Sequence, residues 1–383
     1  MTADVETDEE TLTVSRHDNA YVAPIQTFRP VDPDRGHGWY DGGAFDDTTA
    51  FIPNAAHRFA VMHHEPRAPQ GEELGAEIEG GRYLYLGILD NVHFGHFISD
   101  GMARLWAASL AEAPNRLVYS FQRPHAGAGK FMEPVLRAFL GDKELIPVTH
   151  TRRFERLWVP QAARFPGGFV RGTPQSRAFF AQAVDRILTT TDTATNGPVH
   201  DKIYVSRTGL PLEHPHAALL FESLIEDNLR QEGYHIVHPQ TLPFDQQLLM
   251  YRNAKQLIFA EGSALHVYPF AGTPDQSCFC ITRSRFRFQQ FDDQIASFGL
   301  APLQRSPLTA KQFSHVRNNG PSTAYLGTVD LVALRAALVQ GGFISGKTWQ
   351  LPSLADYQHE MARLSAFYTI DADALAGAWH RGQ

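Results

Sequence analysis

His93, His96 and Asp100 lie close together in the first half of the sequence, with Arg104 four residues further on. If a helix begins near Phe94, then His96, Asp100 and Arg104 fall on one face, and His93 lies just before that helix. A carboxylate beside a histidine orients the imidazole and makes it more basic. His96 with Asp100 therefore suits a general base, with His93 as second choice and Asp100 itself as a further candidate. A metal site with His93, His96 and Asp100 as ligands, or a structural hydrogen-bonded cluster, are the alternatives.

A second group of chemically useful residues is the segment Glu261-Gly262-Ser263-Ala264-Leu265-His266. Glycine after a strand allows a sharp turn, and the free N–H groups of a following helix favour a phosphate. Ser263 adds a hydroxyl group, and His266 lies one turn further on. Glu261 has the chemistry to bind the diol of a ribose or another sugar. The alternative is a plain strand-to-helix turn.

Arginines follow two of the apolar runs. Arg207 comes directly after a strand pattern, and a guanidinium offers a two-pronged hydrogen-bonding group to phosphate. A surface salt bridge is the alternative for Arg207. Arg283, Arg285 and Arg287 alternate after a later strand, where a solvated charged face is favoured, although at least one can face the same crevice as Arg207.

The elements that position these residues alternate between strand and helix patterns. Short apolar runs at Ile203–Val205, His235–His238 and Leu257–Ala260 predict strands, and Ser277–Arg283 contains another. Helical spacing of apolar residues separates them. This order predicts a parallel sheet with right-handed crossovers, and ligands of such sheets bind beyond the carboxyl ends of the strands.

The rest of the chain is also predicted to be α/β. Residues 1–55 have little periodicity and predict extended or irregular structure. The predicted strands of the first half are 58–63, 82–89, 116–121, 145–148 and 156–159. The predicted helices of the whole chain are 97–111, 131–140, 178–188, 220–229, one around 248–250, 288–298, 329–339, 353–367 and 372–379. The polar segment Thr189–Pro198 is the best domain boundary. We therefore expect domains at 1–195 and 196–345, followed by C-terminal helices at 346–383.

Composition excludes several classes of protein. Of 383 residues, 43% are hydrophobic and 20% are charged, which is typical of a soluble globular protein. The net charge of −7 argues against nucleic-acid binding. Cys278 and Cys280 are expected to be free thiols in a reducing compartment. The first ten residues lack the regions of a signal peptide, and we find no apolar run long enough to span a membrane, so a cytoplasmic location is expected.

Other motifs point away from common nucleotide chemistry. The sequence has no P-loop and no G-x-G-x-x-G, which argues against an ordinary ATPase or NAD enzyme. Asp32-Pro33-Asp34 matches the D-x-D of metal-dependent sugar transferases, but it lies in a segment rich in proline and glycine with no predicted strand before it. We interpret this match as chance.

Taken in order, the motifs resemble glycosyltransferase family 61, found beside capsular polysaccharide genes. The similar segments are Tyr204-Val205-Ser206-Arg207, the acidic pair Glu226-Asp227, Gly233–Val237, Gln246-Gln247 with Ala254-Lys255, and Glu261–His266. His93-Phe94-Gly95-His96-Phe97, with Asp100 and Arg104-Leu105-Trp106, is similar to the family's acceptor-side motif. The resemblance covers about residues 82–300. Many relatives have Gly-x-His-Gly-Ala-Gly-Leu where this chain has Ala260–Leu265, so a histidine and a glycine of the family pattern are missing.

The resemblance implies two Rossmann-like lobes of the GT-B type with a cleft between them. In such enzymes the last helices, here 346–383, commonly pack back on the first lobe. It implies an inverting transferase that moves a sugar from a nucleotide-sugar donor to a hydroxyl of a glycan or other acceptor. It implies no metal and no cofactor. His96, Asp100 and His93 would then be catalytic residues of the acceptor-side lobe, and the donor would contact Arg207 and the segment Glu261, Gly262, Ser263 and His266 in the second lobe.

Two other functions stay open at this stage. One is a metal-dependent hydrolase that uses His93, His96 and Asp100, and the other is a non-catalytic module that binds a nucleotide or a sugar. The expected partners are a nucleotide sugar and a hydroxyl acceptor, without nucleic acid or a transmembrane segment. Peripheral association with a membrane is compatible with this prediction, and the sequence does not define the oligomeric state.

Overall fold

The structure, a computed structural model, describes residues 11–29, 38–57, 62–166, 168–190, 199–213, 218–309, 311–317 and 325–370. Four predicted features lie wholly or mostly outside the described residues: Asp32-Pro33-Asp34, the strand at 58–63, the linker Thr189–Pro198, and the helix at 372–379. The chain forms two units, residues 1–191 and 192–383.

The described part of the first unit combines nine strands with three α-helices. The strands are β1 (Val14–Ala23), β2 (Phe28–Arg29), β3 (Gly38–Tyr40), β4 (Gly43–Phe45), β5 (Met62–His64), β6 (Ile78–Leu89), β7 (Arg116–Phe121), β8 (Glu144–Pro147) and β9 (Arg152–Pro160). The helices are α1 (Phe94–Asp100), α2 (Met132–Leu140) and α3 (Pro174–Thr190). A 3₁₀ helix, Gly101–Ser109, continues directly from α1.

The main sheet of the first unit has six strands in the order β4-β1-β9-β6-β7-β8. Strands β9, β6, β7 and β8 run parallel, whereas β1 is antiparallel to both β4 and β9. One face of the sheet buries Tyr83, Tyr85, Phe154 and Leu157 in a single apolar cluster. The segment before residue 55, predicted to be extended or irregular, includes the regular strand β1, whose last four residues, ending in Ala23, are buried.

The described part of the second unit contains eight strands and six α-helices. The strands are β10 (Lys202–Val205), β11 (Ala218–Leu219), β12 (His235–Val237), β13 (Gln256–Ala260), β14 (Ser277–Ile281), β15 (Gln304–Arg305), β16 (Gln312–Ser314) and β17 (Tyr325–Gly327). The helices are α4 (Glu222–Gln231), α5 (Phe244–Asn253), α6 (Tyr268–Ala271), α7 (Gln289–Ser297), α8 (Leu331–Gln340) and α9 (Leu354–Leu364).

The central sheet of the second unit is parallel throughout, as the sequence predicts, with the order β12-β10-β13-β14-β15. Its strands are short and apolar because helices and loops cover both faces of such a sheet. The chain moves from β10 to β12 on one side and then crosses back to β13 on the other. The direction of winding therefore reverses between β10 and β13, which is the position where parallel sheets of this order bind ligands.

The C-terminal part of the described chain completes the core of the second unit. Leu334 and Leu338 of α8, Leu364 at the end of α9, and Tyr368 are buried in one cluster with Tyr204 of β10. The mixed α/β class predicted from the sequence is thus confirmed for the described residues of both units.

Candidate active site

The loops after β10 and β13 meet at the reversal point of the parallel sheet. Val205 and Phe259 are register partners in these adjacent strands. Arg207 follows β10, and its guanidinium lies over the Cα atom of Gly262, which follows β13. A Cβ atom on Gly262 would overlap Nη1 of Arg207 and would lie 3.2 Å from its Cζ. The structure therefore brings together two residues that are 55 positions apart and that the sequence identifies as donor-binding candidates.

Glu222 fixes the loop that carries Arg207. Its carboxylate Oε1 accepts hydrogen bonds from the backbone N–H of Arg207 at 2.8 Å and from the Tyr204 hydroxyl at 3.0 Å. Burial raises the pKa of Glu222, whereas the hydrogen bond from Arg207 and its positive charge oppose the rise. Phe221, directly before it, has a φ of 61°, which is rare for a bulky residue. This backbone conformation begins α4 and sets Glu222 under the loop.

Glu226, one turn along α4, holds the same loop from its polar side. Its Oε1 accepts hydrogen bonds from the hydroxyl groups of Ser206 at 2.6 Å and Thr208 at 2.5 Å. Its Oε2 accepts from Arg230 at 2.9 Å. The two carboxylates thus leave the loop after β10 little freedom.

Glu261 binds the loop that follows β14. Its Oε1 accepts a hydrogen bond from the Ser284 hydroxyl at 2.6 Å, and its Oε2 accepts from the backbone N–H groups of Arg283 at 3.0 Å and Ser284 at 3.2 Å. Its backbone carbonyl accepts from Nε of Arg283 at 2.8 Å. Glu261 therefore joins the ends of β13 and β14, and its predicted contact with a sugar diol stays a prediction.

Arg283 gives this region a second, half-buried positive charge. Burial, together with the charge of nearby Arg207, lowers the pKa of Arg283 to about 10, so Arg283 is charged at neutral pH. Burial also lowers the pKa of Arg207, against the opposing charges of Glu222 and Glu261. Two guanidinium groups held close together form an electrostatic environment that favours a doubly charged anion.

Ser263 and His266 continue from the Gly262 turn in a short 3₁₀ helix, Ser263–His266. His266 is buried, its Nδ1 donates a hydrogen bond to Oε1 of Gln294 at 2.9 Å, and its ring stacks on Phe291 with centroids 4.5 Å apart. These contacts direct His266 towards α7. Its predicted role in donor binding stays a prediction.

In the first unit, two histidines at the start of α1 each face a different carboxylate. Nδ1 of His93 lies 3.4 Å from Oδ2 of Asp90, and Nδ1 of His96 lies 3.5 Å from Oδ2 of Asp100. The imidazoles are 50% and 45% exposed, whereas the two carboxylates are 2% and 10% exposed. An exposed imidazole in front of a buried carboxylate is the arrangement that a general base requires, because the ring can reach a substrate while its partner orients it.

Asp90 is the residue of this group that sequence reasoning missed. Its Oδ1 accepts hydrogen bonds from the backbone N–H groups of Val92 and His93, both at 2.8 Å. Burial raises the pKa of Asp90, but the hydrogen bonds from the side chain and backbone of His93 and from Val92 outweigh it, so the pKa lies below its ordinary value. The sequence contains a signal for this residue, because Asp90 directly follows a buried strand and precedes His93 by three residues.

Arg104 does not share the exposed position of His96, which corrects the single helical face assumed from the sequence. After Asp100 the chain tightens into a 3₁₀ helix with about three residues per turn, so the spacing of four no longer keeps residues on one face. Arg104 is 1% exposed, and its guanidinium donates hydrogen bonds to the carbonyl groups of Pro160, Asn54 and Ala56 at 2.7–3.0 Å. Its role is to hold the interior of the first unit together.

The geometry does not favour the metal-site alternative. His93 and His96 are turned to separate carboxylates, with ring centroids 6.0 Å apart. Within the described residues, no group of three or more His, Cys, Asp or Glu side chains has an arrangement that could hold a metal ion. Cys278 and Cys280 are buried free thiols in β14, as predicted, and burial raises the pKa of both.

A comparison with protein families identifies the chain segment that carries both groups of residues. Residues 94–280 match the family model described as Glycosyltransferase 61. The match begins one residue after His93 and includes His96, Asp100, Arg207 and the Glu261–His266 segment. A search of curated proteins finds no match. In the part of the chain that the structure describes, none of the helices has the length and apolar character to cross a membrane.

Proposed function

We propose that the protein transfers a sugar from a nucleotide-sugar donor to a hydroxyl group of a glycan or a related acceptor, because residues 94–280 match the model of the glycosyltransferase 61 family. We assign the donor to the second unit, and the acceptor and the base to the first unit. This is the division of roles in a GT-B enzyme. The reaction inverts the anomeric centre and needs no divalent metal. It takes place in the cytoplasm and contributes to the synthesis of a polysaccharide such as that of a capsule.

The observation that carries the donor assignment is the contact between Arg207 and Gly262. It lies at the reversal point of a parallel sheet, where ligands of such sheets bind. Without a side chain on Gly262, the guanidinium of Arg207 can lie directly against the backbone of this turn. The diphosphate of the donor binds beside Arg207 and Arg283, and Ser263 contributes its hydroxyl group.

Charge stabilisation at the leaving group follows from the same two arginines. When the glycosidic bond to the donor breaks, negative charge develops on the departing nucleoside diphosphate. Fixed positive groups in a site of low polarity stabilise that charge without reorganisation. Arg207 and Arg283 supply this stabilisation in the place of a metal ion.

The first unit supplies the base for an inverting reaction. His96 removes the proton from the acceptor hydroxyl as the oxygen attacks the anomeric carbon, and Asp100 stabilises the imidazolium that forms. His93 with Asp90 is an equivalent pair on the adjacent turn, and it is the second candidate.

The test combines binding and turnover. Calorimetry with a panel of nucleoside diphosphates should give saturable binding for at least one of them, and a ligand held at 100 times its dissociation constant should add roughly 2.7 kcal/mol of stability. The nucleotide sugars of the binding nucleotide are then assayed for transfer, with and without excess chelator. Activity that chelator abolishes and manganese or magnesium restores would contradict the metal-independent mechanism. Binding without transfer to any acceptor would instead indicate a non-catalytic module.

A further inference from the structure

The first unit contains a large open cavity, and one of its lining residues, Arg164, donates a hydrogen bond to the backbone of Asp100. Its volume is about 770 Å³, within the range of small-molecule sites, and it is lined by residues of the segments 51–57, 63–66 and 161–166. Two phenylalanines, Phe51 and Phe165, lie in its wall together with Gln161. Aromatic rings beside side-chain amides suit a sugar, which presents a C–H face and a rim of hydroxyl groups.

The titratable side chains that line this cavity can carry only positive charge. Arg164 and the histidines His57, His63 and His64 line it, and the described lining residues include no carboxylate. Burial lowers the pKa of His57 and His64, so these two rings are neutral at pH 7. His64 accepts a hydrogen bond at Nδ1 from the backbone of His57 and donates from Nε2 to the carbonyl of Gly42. The permanent charge at the wall is therefore the guanidinium of Arg164.

Arg164 also connects the cavity to the histidine cluster of α1. Its Nη2 donates a hydrogen bond to the backbone carbonyl of Asp100 at 3.2 Å and lies 3.4 Å from Nδ1 of His57. Asp100 is the residue whose carboxylate faces His96. A ligand in the cavity is thus bound next to the residue that orients the proposed base.

We propose that this cavity is an acceptor subsite and that it binds a glycan carrying an anionic group, a carboxylate or a phosphate, beside Arg164. The proposal rests on the proposed transferase function, because it assigns the cavity to the acceptor of that reaction. The sugar rings pack against Phe51 and Phe165, and the anionic substituent lies against the guanidinium.

The experiment introduces a negative charge into the cavity without removing any existing contact. Ala162 lies in the wall and carries only a methyl group, so Ala162→Glu adds a carboxylate and Ala162→Gln is its neutral match in size. Ligand-observed NMR titrations of the full chain use two probe pairs: trigalacturonate with its methyl ester, and glucose 6-phosphate with glucose.

We expect at least one anionic probe to bind about tenfold or more tightly than its neutral match, as charge-assisted hydrogen bonds are stronger than neutral ones. Ala162→Glu should weaken that binding about tenfold, and Ala162→Gln by no more than about threefold. A preference for only one anion supports the proposal and identifies the substituent. Equal binding of the anionic and neutral probes, or equal effects of the two variants, would overturn it.

Two further measurements keep the result unambiguous. If Ala162→Glu fails to fold, His63→Glu at an exposed position of the same wall replaces it, with His63→Gln as its match. Binding is measured without donor or turnover. Retained anion binding in a protein that transfers no sugar would therefore remove the acceptor role and the proposed function while leaving the binding site in place.

Discussion

The guanidinium of Arg207 lies directly over the Cα atom of Gly262, and no side chain larger than hydrogen fits there without moving it. The two residues lie in the loops that follow adjacent parallel strands, β10 and β13, at the point where the winding of the sheet reverses. The position of the Arg207 guanidinium therefore depends on the lack of a side chain at residue 262 as much as on the hydrogen bonds that hold the loop after β10.

The first prediction concerns this contact. Arg207→Ala should weaken the binding of the nucleoside diphosphate by about 1.5–3 kcal/mol, the range for a hydrogen bond to a charged group. Gly262→Ala should weaken it about tenfold, because the new methyl group displaces the guanidinium from the ligand. Calorimetry on folded variants measures both effects.

A double variant separates displacement of Arg207 from a direct effect of the methyl group. If Gly262→Ala acts through Arg207, the double variant should bind no more weakly than Arg207→Ala alone. Gly75→Ala, at a site where nothing lies within 4 Å of the added carbon, controls for the substitution itself. Unchanged affinity in Arg207→Ala would remove this residue from the donor site.

The second prediction concerns the base. His96→Ala should lower turnover by about 10²–10⁴-fold, the contribution typical of a general base. The affinity for nucleoside diphosphate should stay nearly constant, since the proposed donor groups belong to the second unit. Asp100→Asn should cost less, because it disturbs the imidazole without removing it.

Comparison with the neighbouring pair identifies which histidine acts. His93→Ala and Asp90→Asn remove the second imidazole and its carboxylate partner. A larger loss in Asp100→Asn than in His96→Ala would identify Asp100 itself as the base. Near-normal turnover in His93→Ala, His96→Ala and Asp100→Asn alike would show that the cluster is structural.

The third prediction is a pH dependence of stability set by Glu73. Hydrogen bonds from Arg67 and Thr151, with the backbone N–H of Gln70, lower the pKa of Glu73 to about 2. Because the pKa is lower in the folded than in the unfolded protein, this carboxylate contributes stability above pH 4.5. That contribution is lost as the pH falls through the folded value.

Urea unfolding of Glu73→Gln measures this contribution. The variant should be less stable than the original protein at pH 6. The difference should shrink as the pH falls from about 4.5 through 2, below which Glu73 is neutral in both states. Glu72→Gln, at the exposed neighbouring position, is the matched control. A difference that stays constant over this pH range would rule out the ion pair as its source.

The fourth prediction compares two glycines of β6 with left-handed backbone conformations. Gly87 has a φ of 103° and Gly81 a φ of 110°, so alanine is strained at both by roughly 1–2 kcal/mol. At Gly87 the added carbon would also overlap the guanidinium of buried Arg104, whereas at Gly81 it would lie 3.1 Å from that of exposed Arg116.

Gly87→Ala should therefore destabilise the protein by about 1–3 kcal/mol more than Gly81→Ala, the usual cost of overpacking a buried site. Arg104 resists displacement because three backbone carbonyls hold it. Chemical denaturation of both variants at neutral pH gives the difference directly. Equal losses would mean that Arg104 moves aside at little cost.

Much of the second unit could be predicted because its elements are local and its strands are buried on both faces. The run at β13 and the helix spacing of α4 and α5 are visible in short windows of sequence, and their alternation implies a parallel sheet. Arg207 and Gly262 could be placed on the same sheet edge for the same reason.

The contacts that fix these residues could not be predicted, because they depend on packing. Nothing in the sequence shows that Glu222 accepts the backbone N–H of Arg207, since it is one of several acidic residues in that helix. Tyr368 comes from a segment without any motif. Burial raises the pKa of its hydroxyl group, and the positive charges of Arg207 and Arg283 act in the opposite direction. Arg104 was misplaced because the periodicity of a helix does not reveal a change to 3₁₀ geometry.

The inner position of β1 affects how the first unit is made. Val14 of β1 pairs with Pro160 of β9. Strand β1 therefore cannot pair with β9 until β9, the last strand of this sheet in chain order, has been synthesised. At ordinary rates of synthesis, roughly 7 to 30 s separate their appearance from the ribosome. Through that interval the apolar end of β1 has no partner in β9. The order of strands thus makes folding of the first unit depend on late, long-range pairing. Until residue 160 has emerged, the apolar end of β1 is exposed to association with other chains.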